Sequence, residues 1–273
     1  EQGEFTNIDF AETGALAGAL VENFNVNGTL SGEKAIYISP NALVKNINIA
    51  GNTDSYSFVV SGDIISEWNP EGVEYFYTRN YGGENPYEGL KPNIKMADGE
   101  TLDNYRTNLN FNGIRTFTDN IIGPYGLIMN VKDGASLTTD NPAADKFSHI
   151  NVHSLNVESN AALNVNNIVM AKDGYGSINV KSGASFKLGD DATTGKIGAV
   201  LIAFNDEDGD GEITSGIINN DGVINFNNGE LALKPDAGYY ADSTVIKVMS
   251  KADDNDGNQA TSGEKFGAVW IVN

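Results

Sequence analysis

Apolar and polar residues alternate with a period of two along much of the chain. In the stretch INVKSGASFKL, Ile178 and Val180 share one side of an extended strand. The pair Ser182-Gly183 interrupts the alternation, which then resumes. The positions that point to one side are Ile178, Val180, Ala184, Phe186 and Leu188. A period of two favours short strands over helices.

Close relatives of this stretch recur at regular offsets. The copies are MNVKDGASL from Met129, LNVESNAAL from Leu155, INVKSGASF from Ile178 and the shortened INFNNGEL from Ile224. The second and third copies are 23 residues apart, the last follows at 46, and VENFNVNG and VKNINIAG near the N-terminus are again 23 apart. The first two copies are 26 apart, which allows a short insertion. A fixed period of this size is typical of stacked repeats.

A repeat of this length with short strands and Gly or Asn corners predicts one rung of a parallel β-helix. We therefore predict an all-β, right-handed, single-stranded parallel β-helix of about eight to ten rungs, a rod on the order of 40–50 Å long. The corners are Asp133-Gly134, Ser159-Asn160, Ser182-Gly183 and Asn228-Gly229, residue types that tolerate positive φ. The inward positions of the other copies are Met129, Val131, Ala135, Leu137, Leu155, Val157, Ala161, Leu163 and Val165.

Two outward columns follow from the same register. Lys132, Glu158 and Lys181 fall in one slot and alternate in charge when the rungs are stacked. Asparagine fills a second slot, at Asn130, Asn156, Asn179 and Asn225. Stacked asparagine amides can form hydrogen-bonded ladders.

The period lapses between about residues 67 and 113. This segment is rich in aromatic residues among Gly, Pro and Asn, and predicts a long loop or hairpin extruded from the rod. Exposed aromatic rings would provide a ligand-binding platform for a glycan or protein. The alternative is that the rings fold back and cover the flank of the rod. The candidate ligand-binding residues are Trp68, Tyr75, Tyr77, Tyr81 and Tyr87.

An acidic segment runs from Asp206 to Ile213 and reads D-x-D-x-D-G-x-I, which matches the start of a calcium-binding loop. The predicted ligands are Asp206, Asp208 and Asp210, since calcium prefers several carboxylate oxygens. The twelfth position, where such loops carry Glu, is Ile217. The alternative is a solvated corner of the rod. A shift of the melting temperature on chelation would distinguish the two.

The composition narrows the possible partners. The formal net charge is −20 and the pI about 4.3, which argues against nucleic acid and anionic membranes as partners. The chain has no cysteine, so disulfides and cysteine-ligated zinc are excluded. The sequence contains no run of about 18 apolar residues, so it predicts no membrane-spanning helix.

No catalytic arrangement emerges from the sequence. His149 and His153 are the only histidines and lie four apart on a predicted strand, where an outward polar pair is favoured over a metal pair without a third ligand. Acidic pairs such as Asp190-Asp191 and Asp253-Asp254 fall in predicted loops without a shared rung register. The sequence therefore predicts no enzymatic activity in this segment.

Several segments resemble the passenger domain of Gram-negative autotransporters, the type V secretion family. They are VKNINIAG at 44–51, VSGDIISEW at 60–68, GIINNDGVINF at 216–226 and GYYADSTVIKV at 238–248. The phrase GDIISEW is similar to the stalk behind subtilisin-like protease domains of some members, although no protease motif occurs here. The resemblance implies an extracellular location at the bacterial surface and a fragment of a longer protein, preceded by a signal peptide and anchored by a C-terminal β-barrel.

The resemblance also implies a function: a non-enzymatic adhesin or stalk that binds host glycans or proteins or associates with itself. Two alternatives stay open. One is a β-helical polysaccharide lyase or glycoside hydrolase, which three or more converging carboxylates would indicate. The other is the stalk of a protease whose catalytic domain lies upstream. The whole chain, 1–273, is expected to form one domain, with residues 239–273 as a C-terminal cap over the last rung.

Overall fold

The computed structural model describes part of the chain. The described residues are 8–9, 20–26, 34–38, 43–49, 58–60, 62–66, 106–139, 148–165, 168–172, 177–188, 190–191, 196–197, 199–204, 212–213, 218–227, 229–235, 245–246, 248–251 and 266–271. All regular structure within these ranges is β-strand. No helix in the described part of the chain is long and apolar enough to cross a membrane.

The strands are short, as the period-two segments predict. In chain order they are β1 (Ile8–Asp9), β2 (Leu20–Val26), β3 (Lys34–Ile38), β4 (Leu43–Ile49), β5 (Phe58–Val60), β6 (Asp63–Ser66), β7 (Thr107–Phe111), β8 (Ile114–Phe117), β9 (Ile121–Val131), β10 (Ser136–Thr139), β11 (Ser148–Val157), β12 (Ala162–Val165), β13 (Ile168–Lys172), β14 (Ile178–Val180), β15 (Ser185–Leu188), β16 (Asp190–Asp191), β17 (Lys196–Ile197), β18 (Ala199–Phe204), β19 (Glu212–Ile213), β20 (Ile218–Asn220), β21 (Val223–Asn225), β22 (Glu230–Pro235), β23 (Val245–Ile246), β24 (Met249–Lys251) and β25 (Ala268–Ile271).

These strands form one 15-stranded and one 6-stranded parallel sheet, with two small two-stranded sheets beside them. The larger sheet consists of two rows, because β9 and β11 are long enough to pair with different neighbours in their two halves. Row 1 contains β1, β3, β6, the first half of β9, the first half of β11, β13, β18, β22 and β25. Row 2 contains β2, β4, β7, the second halves of β9 and β11, β14, β20 and β24. Row 3, the smaller sheet, contains β5, β8, β10, β12, β15 and β21.

The chain visits the rows in a fixed order. From β3 to β22 it passes from row 1 to row 2 to row 3 and returns to row 1 beside the strand it left, which we call one circuit. The pairings within each row are parallel, and β10, β12 and β15 in row 3 and β11 and β14 in row 2 pair without a register shift. Of the small sheets, β16 with β17 is antiparallel and β19 with β23 is parallel. The prediction of an all-β chain with long parallel sheets is confirmed.

One hydrophobic core cluster contains buried side chains from all three rows. Val131, Val157 and Val180 pair with one another in row 2 and are at most 1% exposed. Leu137, Leu163 and Phe186 form the matching column in row 3. Every inward position predicted from the repeat is buried. Burial of each such side chain stabilises the fold by about 1.5–3 kcal/mol.

The corners between row 2 and row 3 require a left-handed backbone. Gly134, Asn160 and Gly183 occupy the same position in successive circuits and have φ of 71°, 57° and 77°. Glycine adopts this conformation without steric cost, and asparagine tolerates it better than other residues. The corners predicted at these positions are confirmed.

The register of the last predicted copy is wrong. Ile178 pairs with Ile218, and Ile224 pairs with Phe186 in row 3. Ile224 is still buried, but Asn225 pairs with Lys187 and does not join the asparagine column. In the structure this copy begins at Ile218, which pairs with Ile178 in row 2. Its corner, Asp221-Gly222, is shorter than Lys181–Ala184, so Ile224 already belongs to the row-3 strand. Of the predicted corner Asn228-Gly229, Asn228 lies outside the described residues, while Gly229 lies between β21 in row 3 and β22 in row 1, and Asn227 has φ of 48°.

Two predicted boundaries overlap described strands. Residues 107–111, at the end of the predicted extruded loop 67–113, form β7 in row 2. The part of that loop from 67 to 105 lies outside the described residues. In the predicted cap, β24 pairs with β20 and β25 with β22, so both strands continue the rows.

Candidate functional site

The predicted ligand-binding and metal-binding residues lie outside the described part of the chain. They are Trp68, Tyr75, Tyr77, Tyr81, Tyr87, Asp206, Asp208 and Asp210. The structure does describe the strands that flank them. The aromatic segment follows Ser66 at the end of β6 and precedes Thr107 in β7, and the acidic segment lies between β18 and β20.

Both segments lie in the sequence between a row-1 strand and the row-2 strand that follows it. Ile65 pairs with Ile122, and Thr107 pairs with Leu127. In this alignment, residues 67–106 correspond to residues 124–126 of the next circuit. The acidic segment likewise connects a row-1 strand, β18, with a row-2 strand, β20. We name this edge of the stack the insertion corner.

The base of the aromatic segment is firmly held. Ser66 and Thr107 are 1% and 2% exposed, and the Thr107 hydroxyl donates a hydrogen bond to the Val44 carbonyl oxygen. Asp63, at the start of β6, accepts hydrogen bonds from the backbone and side-chain amides of Asn120 at 3.0 and 2.9 Å. The strands on both sides of residues 67–106 are therefore buried and hydrogen-bonded.

A reciprocal contact secures the same strand from the next circuit. The backbone N–H of Gly62 donates to an Asp119 carboxylate oxygen at 2.6 Å, while Asp63 accepts from Asn120. Each circuit thus supplies a carboxylate to the other's backbone. Hydrogen bonds to a charged acceptor are stronger than neutral ones. These hydrogen bonds hold the start of β6, the last described row-1 strand before residues 67–105.

Two of the circuits between these segments pass from row 1 to row 2 within one continuous strand, β9 and β11. In β11 the crossing is the register shift between Val152 and Ser154, with His153 inside it. The His153 Nδ1 and Ser154 Oγ atoms are 2.9 Å apart. His149 pairs with Val169 in row 1, so the two histidines lie on opposite sides of the bend and not on one straight strand.

A ladder of asparagine side chains runs along the outer face of row 2. Each Nδ2 donates to the Oδ1 of the asparagine one circuit earlier, with distances of 2.7–3.0 Å. The members are Asn25, Asn48, Asn110, Asn130, Asn156, Asn179 and Asn219. A shorter ladder of Asn23, Asn46 and Asn108 lies beside it. Three predicted members are confirmed, and Asn219 takes the place expected for Asn225.

The other ladder members were missed, although the sequence contains a signal for them. The segments NFN, NIN and NLN place two asparagines at alternate positions of a strand that is otherwise apolar. Such positions face outward, and in-register stacking brings like residues together.

Asn156→Ala is expected to lower the free energy of unfolding by about 1–3 kcal/mol, because it removes the hydrogen bonds to both Asn130 and Asn179. The matched control is Asn164→Ala in row 3, outside the ladder, which should change stability by less than about 0.5 kcal/mol. Urea unfolding followed by circular dichroism measures both. Equal effects of the two substitutions would contradict an energetic role for the ladder.

Among the described residues, two ion pairs join neighbouring circuits of row 2, and the first is Lys45 with Glu22 at 3.0 Å. Lys132 Nζ lies 2.6 Å from Glu158 Oε1, which confirms that pair of the predicted charge column. Arg115 occupies an inward slot beside Leu137 in row 3, and burial lowers the pKa of its guanidinium below the usual value. Sequence reasoning missed this buried charge. Within the described residues, no three His, Asp or Glu side chains converge to form a metal site.

Comparison with known proteins gives no further assignment: no protein-family model, no curated protein and no solved structure matches this chain.

Proposed function

We propose that the chain is a right-handed parallel β-helix that serves as a non-enzymatic adhesin or stalk, of the kind found in autotransporter passenger domains. In this proposal the three rows are the three faces of a solenoid, and each circuit is one rung. The cyclic order of the rows and the in-register core columns support this assignment. The right-handed form is proposed because parallel crossovers are almost always right-handed.

The observation that carries the functional proposal is the common origin of the inserted segments. Residues 67–106 and the acidic segment between β18 and β20 both connect a row-1 strand with a row-2 strand. Two of the intervening circuits make the same passage within the continuous strands β9 and β11. A rod in which two long segments connect the same pair of faces resembles a scaffold for display more than an enzyme groove, which needs converging catalytic groups.

The partner we propose is a glycan or protein at a host surface. Aromatic side chains with a polar tip, such as tyrosine, are frequent in protein and glycan recognition, and the segment 67–106 is rich in them. The acidic character of the chain opposes nucleic acid and anionic lipid. The proposed location is the outside of a bacterial cell, with the anchor supplied by the remainder of a longer protein.

The test is to shorten the insertion corner without disturbing the stack. Residues 67–106 are replaced by Pro-Tyr-Gly, the sequence that crosses the same corner in the next circuit. We expect binding to a glycan array and to host cells to fall by at least about tenfold, while the melting temperature stays near that of the parent. A second variant keeps the segment and replaces its tyrosines at 75, 77, 81 and 87 with serine.

The possible results of these binding measurements lead to different conclusions about the binding site. If the parent binds and both variants lose binding, the segment is the site. If the shortened variant binds as well as the parent, the site lies elsewhere on the rod. If the parent binds neither glycans nor cells, the adhesin proposal fails and a pure stalk remains.

A further inference from the structure

The outer face of row 2 carries an ordered array of side-chain amides. In the asparagine ladder each Nδ2 donates to the Oδ1 of the preceding circuit, so each amide is held in one orientation. The ladder crosses seven strands, and strands spaced about 4.8 Å apart make it about 29 Å long. Among its members only Asn130, which is 7% exposed, is buried. The other amides are partly or fully open to a ligand.

The ladder leaves part of the hydrogen-bonding capacity of its amides unused. A carboxamide has two N–H donors and an oxygen with two lone pairs. Asn48, Asn110 and Asn156 each use one donor and one lone pair on the neighbouring amides, and form no other hydrogen bond in the described part of the chain. A ligand that both donates and accepts hydrogen bonds can use the remainder. Because the ladder already fixes the amides, such binding costs little side-chain entropy.

The array is uncharged, although the chain has a formal net charge of −20. The outward column beside the ladder, two residues earlier in each strand, contains Asn23, Asn46, Asn108, Ile128 and Ser154. An anionic ligand would be repelled by the chain as a whole, and a cationic ligand would find no carboxylate among these described residues. The charge distribution therefore favours a neutral polar ligand.

The ladder face adjoins the proposed binding segment in the sequence. Residues 67–106 end directly before Thr107, the first residue of β7. In the same strand, Asn108 belongs to the shorter ladder and Asn110 to the longer one. A glycan that contacts the end of the segment is thus within a few residues of the amide array.

We propose that the outer face of row 2 binds an extended neutral oligosaccharide along the asparagine ladder, and so enlarges the glycan site of residues 67–106. The inference rests on the proposed glycan-binding function. Sugar hydroxyl and acetamido groups both donate and accept hydrogen bonds, as the unused amide groups require. An extended oligosaccharide repeats these groups along its length, as the ladder does. A longer chain therefore gains contacts with successive circuits.

Isothermal titration with β-1,4-linked N-acetylglucosamine oligomers tests the proposal. We expect the affinity of the parent to rise by at least about tenfold from the disaccharide to the hexasaccharide, because each further sugar adds hydrogen bonds. Heparin, an anionic glycan, should not bind. Asn110→Ala should weaken hexasaccharide binding by at least about threefold. The matched control, Asn164→Ala on the outer face of row 3, should leave it unchanged.

Nuclear magnetic resonance of the isotope-labelled chain locates the contact without any substitution. On addition of the hexasaccharide, the side-chain amide resonances of Asn110 and Asn156 should shift, and those of Asn164 and Asn225 in row 3 should not. The variant in which Pro-Tyr-Gly replaces residues 67–106 separates the two parts of the site. It should retain weaker binding with the same dependence on oligomer length.

The outcomes for the ladder and for the tyrosine-rich segment differ. Shifts confined to residues outside the ladder, or complete loss of binding in the shortened variant, overturn the ladder site and leave the proposed function intact. A parent that binds host cells but none of these oligomers does the same. If the shortened variant binds the hexasaccharide as tightly as the parent, the ladder site stands and the segment is not the glycan site. A parent that binds neither cells nor glycans contradicts both.

Discussion

Val157→Asp is expected to destabilise the stack by at least about 4 kcal/mol, a large part of the total stability of most domains. Val157 is fully buried and lies in register between Val131 and Val180. A carboxylate at this position would lose its hydration among aliphatic side chains of two neighbouring circuits. Because stacked repeats depend on their neighbours, we expect the damage to spread into both adjacent circuits.

The pH dependence of this variant follows from the buried carboxyl group. Burial raises the pKa of the introduced aspartate in the folded state above its unfolded value of about 3.9. The folded state then retains the proton to higher pH than the unfolded state. The loss of stability relative to the parent is therefore smallest near or below about pH 4 and grows as the pH rises.

Thermal and urea unfolding, followed by circular dichroism, measure the effect. The matched control is Ser185→Asp, which places the same carboxylate on an exposed, outward position of β15. The control should lie within about 0.5 kcal/mol of the parent. Parent-like unfolding of Val157→Asp would contradict the inward assignment of this column.

Gly222→Ala is expected to cost about 2–3 kcal/mol, although it adds a single methyl group. A Cβ atom at this position would lie 2.5 Å from the Ala184 carbonyl oxygen and 2.6 Å from that of Lys181. Both are backbone atoms of the preceding circuit, so the two circuits would have to separate. The side-chain amide of Asn220 accommodates the same tight corner, accepting a hydrogen bond from the Gly222 N–H at 3.0 Å.

Gly134 provides the comparison. It has φ of 71°, and an added Cβ would meet no atom within 4 Å, so only backbone strain opposes a substitution there. Gly134→Asn should be mild, because Asn160 holds the same corner position one circuit later. Differential scanning calorimetry of both variants measures the difference. A larger loss for Gly134→Asn than for Gly222→Ala would show that close approach of the circuits is not the limiting factor.

Much of the stacking could be predicted from local pattern. The alternation around Ile178 fixed which side chains point inward, and the corner residues of the repeat fixed where strands end. The structure confirms the predicted pairing of Leu155 with both Met129 and Ile178. The prediction was wrong at Ile224, where the repeat is interrupted and sequence similarity favours an incorrect alignment.

The sequence could not predict which part of the fold carries the candidate site. Composition marks residues 67–106 and the acidic segment after β18 as unusual, but nothing local shows that they share a corner. That fact depends on the three-row arrangement, which pairs residues as far apart as Asn46 and Asn108. The same holds for the buried Arg115, since a short strand with one arginine gives no local sign of which face is covered.

The sequence by itself determined the alternation, the inward aliphatic residues and the left-handed corners, because these depend on neighbours within one repeat. Only the tertiary structure decided which asparagines form one ladder and which rows the two long segments connect. These properties arise from pairing between circuits, and insertions of different length separate the paired residues by varying distances along the chain.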